Sequence, residues 1–294
     1  EIPYVNGGIF SEHELEERND IDIPDSAFES IFEFFDNYQW HLDSRPTGTK
    51  NEINPDVLGY VFEQFINNKD LGAYYTKEDI TEYMTTNTLV VRFLQKVSEV
   101  CQINLMRPVV QNPDRYIWPS LKHGEDKLTE LSTDNLEILL PGETPVEGQK
   151  RLEYLQVLRK QLADGEIDTI QSLISFNLDL EQLAIDVIDN LDTSEDVMKI
   201  WNVLSDIKVV DPTCGSGAFL FAALSQLEGL YSVILDVAEI HAKSSKNSEL
   251  KELLDSINKH PNRNYFVLKH AAQKNLYGVD IMKEATEIAR LRLF

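Results

Sequence analysis

The sequence is poor in cysteine, and it lacks the composition of a disordered or fibrous chain. Its 294 residues include two cysteines, Cys101 and Cys214, far apart in the chain. This excludes a disulfide framework and makes a reducing cytoplasm the expected compartment. Thirteen glycines and eleven prolines are too few for a collagen-like or low-complexity chain. We find no apolar run approaching the thickness of a bilayer and no signal-peptide pattern, so no membrane partner is expected.

Basic residues are also scarce. Lysine and arginine total 27 against 50 aspartates and glutamates, which gives a net charge of −23. Phosphate contacts dominate nucleic-acid affinity, so this balance argues against a free-standing DNA-binding protein. Six scattered histidines show no metal-binding spacing, and no metal is expected within the chain. The first residue is Glu1 and not methionine, which suggests a fragment.

The first two thirds of the chain are predicted to be mainly helical. Apolar residues at helical spacing predict helices from about Ser11, over 25–40, from Asn54, after Thr76, and from about 150 to 205. After Thr76 the pattern places five side chains on one face: Ile80, Tyr83, Met84, Val91 and Leu94. Five prolines between 108 and 148 predict an irregular connection there.

The pattern changes near residue 207. The β-branched run Ile207–Val210 predicts a buried strand, and the apolar stretch 218–224 predicts a helix packed on a sheet. A second strand is predicted over 276–281, and a further helix from Glu284. Strand, helix, strand and helix in this order predict an α/β fold with the start of a parallel sheet.

The turn between the first strand and its helix carries the strongest functional signal. It reads Asp-Pro-Thr-Cys-Gly-Ser-Gly-Ala-Phe-Leu over 211–220. Glycines let the backbone approach a ligand closely, and a helix start presents free N–H groups to a carboxylate or phosphate. Asp211 at the strand end is suited to accept a hydrogen bond from an ammonium or hydroxyl group. The alternative is a plain tight turn, which a single Gly-x-Gly would favour.

Other glycine motifs do not match. A GxGxxG pattern needs a third glycine where Leu220 stands, and neither a P-loop nor a GxSxG nucleophile turn is present. Asp280, the candidate hydroxyl-binding acid, lies far beyond the roughly 20 residues expected in a dinucleotide site.

One short pattern resembles a nuclease centre. Pro113-Asp114, followed by Glu125, Asp126 and Lys127, formally matches the PD…ExK arrangement, in which two carboxylates and a lysine together hold Mg²⁺ through the carboxylates and activate water. The pattern is loose and its flanks show no clear strand, so we interpret it as a chance match.

The glycine-rich turn over 211–220 resembles motif I of the N6-adenine DNA methyltransferases, which bind S-adenosylmethionine. Residues 276–281 and the following helix resemble motif II, and 71–76 (Leu-Gly-Ala-Tyr-Tyr-Thr) resembles motif X. Motif X ahead of motif I is the order of the γ class. Residues 2–10 and 58–63 resemble segments upstream of the methylase in single-chain type IIG restriction–modification enzymes.

The resemblance implies three consecutive regions. Residues 1–70 would form a helical connector, and 71–205 the mainly helical N-terminal part of the methyltransferase region. Residues 206–294 would form the first βαβα of a Rossmann-like sheet that binds S-adenosyl-L-methionine, truncated after motif II.

The resemblance also implies cofactor contacts. Asp211 and the turn Thr213–Gly217 would surround the methionine part, Asp280 would bind the ribose hydroxyls, and Ile281 would pack on the adenine. Tyr75 and Thr76 would close over the methionine end. Alternatively, Asp280 and Thr76 are helix caps, and Cys214 is expected to be a small buried residue. The complete implied set is Tyr75, Thr76, Asp211, Pro212, Thr213, Cys214, Gly215, Ser216, Gly217, Phe219, Asp280 and Ile281.

Two departures from the family pattern stand out. Lys77 replaces the proline that usually follows the threonine of motif X. The Asn-Pro-Pro-Tyr/Phe motif, which in this family holds the flipped adenine, is absent. We therefore name no catalytic residue, expect the chain to be inactive alone, and expect DNA to be bound by parts outside it. In type IIG proteins the nuclease precedes the helical connector.

Two other functions are compatible with the composition. The net charge of −23 fits a non-catalytic acidic helical module that binds proteins or mimics DNA. Methylation of RNA or of a small substrate would use the same cofactor fold.

Overall fold

The computed structural model describes residues 18–40, 52–53, 59–61, 76–126, 138–243 and 247–293. The helix starts expected at Ser11 and Asn54, and Tyr75, lie outside the described residues. The chain divides into two compact units. We call Glu1–Glu78, Val210–Phe221 and Tyr277–Phe294 the turn unit, and Asp79–Val209 with Ala222–Leu276 the helical unit. The three regions expected from the resemblance remain a prediction.

Helices dominate the described residues. In chain order the elements are α1 (Asp25–Phe35), β1 (Gln39–Trp40), β2 (Glu52–Ile53), α2 (Glu78–Thr85), a π-turn (Thr86–Val90), α3 (Val91–Cys101), α4 (Met106–Gln111), a 3₁₀ turn (Pro113–Tyr116), α5 (Pro119–Lys122), α6 (Pro145–Ala163), α7 (Ile170–Ser175), α8 (Leu180–Asp189), α9 (Ser194–Asp206), β3 (Val209–Asp211), α10 (Ala218–Ala242), α11 (Ser248–Asn258), α12 (Arg263–Asn275), β4 (Leu276–Gly278) and α13 (Lys283–Leu293).

The helical unit has a continuous apolar core. Helix α3 packs against the π-turn and α9, and α9 packs in turn against α11 and α12. Phe93, Leu94 and Val97 of α3 are fully buried. Leu155, Leu158 and Leu162 of α6 are at most 1% exposed. Side-chain caps satisfy the first N–H groups of six helices, at Thr144, Thr169, Asp179, Thr193, Asn247 and Asn262. The helical region predicted from about 150 to 205 is therefore confirmed.

The single apolar face predicted after Thr76 is wrong in its first half. Ile80, Tyr83 and Met84 are about half exposed, whereas Val91 and Leu94 are buried. The π-turn Thr86–Val90 lies between the two groups. A π-turn inserts an extra residue into the helix, so side chains before and after it no longer share one face.

The described strands form two pairs. Gln39 and Trp40 of β1 pair with Glu52 and Ile53 of β2 in parallel, and β3 pairs with β4. Beyond the end of β4, the Val279 N–H donates to the Asp211 carbonyl (2.8 Å), and its carbonyl accepts from the Cys214 N–H (3.0 Å). In parallel strands, the N–H and the carbonyl of one residue bond to two different residues of the neighbouring strand, as Val279 does here. The α/β order is therefore present, while a Rossmann-like sheet remains a prediction.

Two expectations need correction. The strand near Val209 is not buried, because Val210 is 62% exposed in a sheet of only two described strands. The expectation that no apolar run approaches a bilayer's thickness is wrong for α10. This 25-residue helix is long and apolar enough, by length and composition alone, to cross a membrane. Half of its most apolar window is buried, and core helices of soluble proteins meet the same criterion.

Candidate functional site

The glycine turn between β3 and α10 folds tightly against α13. Gly215 and Gly217 have φ angles of +50° and +91°, in the left-handed region that favours glycine. A Cβ atom at Gly217 would lie 3.1 Å from the Cβ of Ala289. A larger side chain at Gly217 would therefore strain the backbone and press on α13.

Two hydrogen bonds stabilise the turn just before α10 begins. Asp211 Oδ1 accepts from the Thr213 N–H (3.1 Å), and the Gly217 N–H donates to the Cys214 carbonyl (2.8 Å). Helix α10 then begins at Ala218. Because the first N–H groups of a helix have no intrahelical acceptor, this end attracts anionic groups.

The second oxygen of Asp211 is buried and lacks a hydrogen-bond partner among the described residues. Buried polar atoms in native proteins are nearly always paired. A carboxylate oxygen in this condition is suited to accept from an ammonium or hydroxyl group of a ligand. This residue therefore fits the cofactor that the resemblance implies.

Asp280 brackets the turn from the end of β4. Its Oδ2 accepts from the Gly215 N–H (2.8 Å), and its Oδ1 accepts from the Met282 N–H (2.9 Å). Met282 precedes α13, which begins at Lys283, so Asp280 stabilises a local turn ahead of that helix, and its capping role stays a prediction. Each carboxylate oxygen can accept a second bond, so the ribose role remains a prediction.

Cys214 lies on the buried side of the turn. It is 6% exposed, and a Cβ atom at Gly278 would lie 3.0 Å from its Sγ. Burial, together with the negative charges of Asp211 and Asp280, raises the pKa of the Cys214 thiol to about 11. A thiol that stays protonated at neutral pH is a poor nucleophile, in line with the expected packing role.

The remaining candidates differ in exposure. Pro212 and Thr213 are exposed, Phe219 is half-buried, and Ile281 is 97% exposed. The structure joins Asp280 to the turn through the Gly215 N–H (2.8 Å), whereas the cofactor contact of Ile281 stays a prediction. Thr76 is half-buried ahead of α2, and no described contact joins it to the turn.

Arg292 was predicted only as part of the last helix and not as a residue of the site. Arg292 Nη1 donates to the carbonyl (2.9 Å) and to the hydroxyl (3.1 Å) of Ser216. Its Cζ lies 4.6 Å from the centroid of the Phe221 ring. A basic residue at a helix C-terminus usually has a helix-dipole role, so no local signal identified this contact.

Two acids of the nuclease-like pattern, Asp114 and Glu125, are paired with an arginine. Arg159 donates to both carboxylate oxygens of Asp114 (2.6 and 3.1 Å) and to Glu125 (2.6 Å). Both acids are thus paired with a guanidinium group, Lys127 lies outside the described residues, and the chance match stays our interpretation. The described part of the chain also contains no group of three or more metal-ligating side chains.

Comparisons with known proteins connect this site to DNA methylation. Residues 188–294 match the family model described as MmeI, DNA-methyltransferase domain. That stretch contains the glycine turn, Asp280 and Arg292. The whole chain aligns with a protein of Methanocaldococcus jannaschii named as a type II restriction enzyme and methyltransferase, with 27% identity over 305 residues. This alignment covers 18% of that protein. No solved structure matches the chain.

These similarities support the predicted relationship to restriction–modification methyltransferases, and the γ class and the type IIG kind stay predictions. The model match covers the part of the chain that holds the candidate site, and the relative carries both activities in its name. The comparisons support a likeness of residues 188–294 to a DNA-methyltransferase domain, and methyl transfer requires a methyl donor.

Proposed function

We propose that this chain is the cofactor-binding part of an S-adenosylmethionine-dependent DNA adenine-N6 methyltransferase of the type IIG kind. The cofactor supplies a methyl group made electrophilic by its sulfonium. The observation that carries the proposal is the buried Oδ2 of Asp211, which has no hydrogen-bond partner in the described part of the chain, beside a glycine turn within the methyltransferase-like stretch.

The proposed roles follow from the local chemistry of the turn. Asp211 accepts a hydrogen bond from the ammonium group of the cofactor's methionine part, and the start of α10 faces the carboxylate of that methionine part. The left-handed Gly215 and Gly217 let the backbone approach the ligand, since no Cβ intervenes. Asp280 accepts from the ribose, with its Gly215 bond retained.

The apolar and peripheral contacts complete the proposed site. Ile281, whose side chain is 97% exposed, covers the adenine of the cofactor. Thr76, with Tyr75 ahead of it in the sequence, is proposed to close over the methionine end, and Pro212 and Phe219 belong to the same proposed cofactor site. Positioning of this kind is the main contribution that an enzyme makes to an in-line methyl displacement.

The substrate and partners of the whole protein are part of the proposal. The chain spans about a fifth of its curated relative, and double-stranded DNA would be held by parts outside this sequence. The adenine specificity rests on the family resemblance, in which the base is flipped before reaction. A cytoplasmic location fits the two free cysteines.

Calorimetric titration of the chain with S-adenosylmethionine tests the proposal. We expect saturable binding by the wild type and loss of binding in Asp211→Asn and Gly217→Val. Asp192→Asn is the matched control. Because Asp192 is exposed, this variant should bind the cofactor as the wild type does. Circular dichroism establishes that each variant is folded.

Failure to bind by the folded wild-type chain would contradict the cofactor proposal. It would favour the acidic interaction module, for which the net charge of −23 is the supporting observation. Equal binding by Asp211→Asn would instead show that the cofactor does not use the buried carboxylate.

A further inference from the structure

The side chain of Arg292 is held in place from three sides within the turn unit. Nη1 donates to both oxygens of Ser216, and the guanidinium carbon lies 4.6 Å from the Phe221 ring centroid. The third side is the backbone at Gly59, where a Cβ atom would overlap Nη1 and lie 3.0 Å from Ser216 Oγ. Contacts with three separate segments leave the guanidinium little freedom.

The residue that Arg292 holds is the central one of the turn. Ser216 is fully buried and lies between Gly215 and Gly217, both with positive φ. Glycine has the weakest intrinsic backbone preference, so this stretch needs restraint from other segments. Asp280 restrains the Gly215 N–H (2.8 Å), and Arg292 restrains the next carbonyl.

The bond between Arg292 and Ser216 is suited to fixing a peptide plane. Hydrogen bonds from a guanidinium are charge-assisted and stronger than neutral ones. The Phe221 ring adds a cation–π contact on the face of the same group. Phe221 belongs to the first turn of α10, and its N–H donates to the Gly217 carbonyl (2.9 Å). Arg292 thereby couples the turn to the start of the helix.

We propose that Arg292 is a positioning residue for the methionine part of S-adenosylmethionine. It fixes the Ser216 peptide and so sets the direction of the backbone between Asp211 and the start of α10. Its positive charge lies at a helix N-terminus, where it adds to the attraction for a carboxylate. This inference rests on the proposed function, and it adds a residue from the last helix to the site.

Comparison of two ligands separates this role from general destabilisation. S-adenosylmethionine contains the amino-acid part, whereas 5′-methylthioadenosine contains only the adenosine and thioether. Arg292→Ala should weaken binding of S-adenosylmethionine by about tenfold, because the released Ser216 peptide must then be ordered when the ligand binds, at the cost of fixing about one backbone residue. Its affinity for 5′-methylthioadenosine should stay within about twofold of the wild type, since the adenosine contacts are elsewhere.

Two further variants serve as controls. Arg290→Ala removes an exposed arginine of the same helix and should leave both affinities unchanged. Arg292→Lys keeps the charge but loses the planar fork, so we expect a partial loss that is again confined to S-adenosylmethionine. If Arg292→Ala does not fold, as judged by thermal melting, the lysine variant carries the same ligand comparison.

The outcomes are distinguishable. Equal weakening of both ligands, or no change in either, would overturn the role of Arg292 while leaving the cofactor proposal in place. Failure of the folded wild type to bind either ligand would overturn the proposed function and this inference with it. Selective loss of S-adenosylmethionine affinity in the Arg292 variants would support both.

Discussion

Gly59 illustrates how one missing side chain permits a buried contact. A Cβ atom at this position would overlap Arg292 Nη1 and approach Ser216 Oγ. The only sequence signal around this glycine is the resemblance of segment 58–63 to the family. The structure supplies the physical reason for the glycine, which is the space that the guanidinium requires.

Replacing Gly59 by alanine should therefore disturb the turn from a distance. Overpacking of a close contact costs about 1–3 kcal/mol, and we expect a loss of stability in that range with weaker S-adenosylmethionine binding. Urea denaturation and calorimetric titration measure the two effects. Gly229→Ala is the control, because no atom lies within 4 Å of its added Cβ and alanine favours helix α10. A Gly59→Ala variant as stable as the wild type would contradict the contact.

At the scale of elements, one buried asparagine connects two helices of the helical unit. Asn275, at the end of α12, is fully buried. Its Nδ2 donates to the carbonyls of Leu204 and Ile207 (both 2.7 Å). Its Oδ1 accepts from the Tyr231 hydroxyl (3.0 Å). The end of α9 is thereby joined to α12, just before β3 begins.

Asn275→Leu removes all three hydrogen bonds while keeping the branched shape of the side chain. Each buried group left unpaired costs about 1–3 kcal/mol, and relaxation recovers part of the sum, so we expect a loss of about 2–4 kcal/mol. Urea denaturation measures it. The same substitution at the exposed Asn202 should change stability by less than about 0.5 kcal/mol. A loss of stability in Asn275→Leu as small as that in the Asn202 variant would contradict the role of these three hydrogen bonds.

His270 of α12 belongs to a neighbouring aromatic cluster. Its ring centroid lies 5.1 Å from that of Trp201 and 5.3 Å from that of Tyr231, and its Nε2 lies 3.1 Å from Ser205 Oγ. Burial lowers the pKa of His270, and the positive charges of Lys274 and Lys208 lower it further. The folded state therefore binds the proton less readily than the unfolded chain.

This pKa direction predicts an acid-sensitive contribution to stability. It is fully present above about pH 6.5, the ordinary histidine value, and is lost as the pH falls from there. One proton changes the free energy of unfolding by at most about 1.4 kcal/mol per pH unit. Urea denaturation between pH 7.5 and 5 should show this loss relative to His270→Phe, which lacks the titrating group. Parallel pH profiles of the two proteins would contradict the prediction.

The elements near the turn could be predicted because their signals are local. The β-branched run, the glycines and the apolar stretch after Ala218 predicted β3, the turn and α10 in the right order. Two features depend instead on tertiary contacts. These are the π-turn at Thr86 and the hydrogen bond from Arg292 to Ser216, which is 76 residues away. Patterns along the sequence cannot contain such contacts, so these two features emerged only from the structure.

For the whole molecule, the charge balance and the proposed function point in different directions. A net charge of −23 repels the phosphate backbone, yet the chain resembles a DNA-methyltransferase domain over residues 188–294. The conflict disappears if cofactor binding and DNA binding belong to different parts of the protein. The alignment with 18% of a much longer relative is consistent with this division.

This division predicts that the isolated chain binds cofactor but not duplex DNA. Non-specific DNA-binding proteins reach dissociation constants of about 10⁻⁴–10⁻⁶ M at physiological salt through phosphate contacts. Fluorescence anisotropy of a labelled duplex should show no binding by this chain up to about 100 μM, with or without S-adenosylmethionine. The same preparation should bind the cofactor in calorimetry, which establishes that it is active. Saturable DNA binding that weakens steeply with salt would instead place a phosphate-binding surface on this chain, and cofactor and DNA binding would not then be separate.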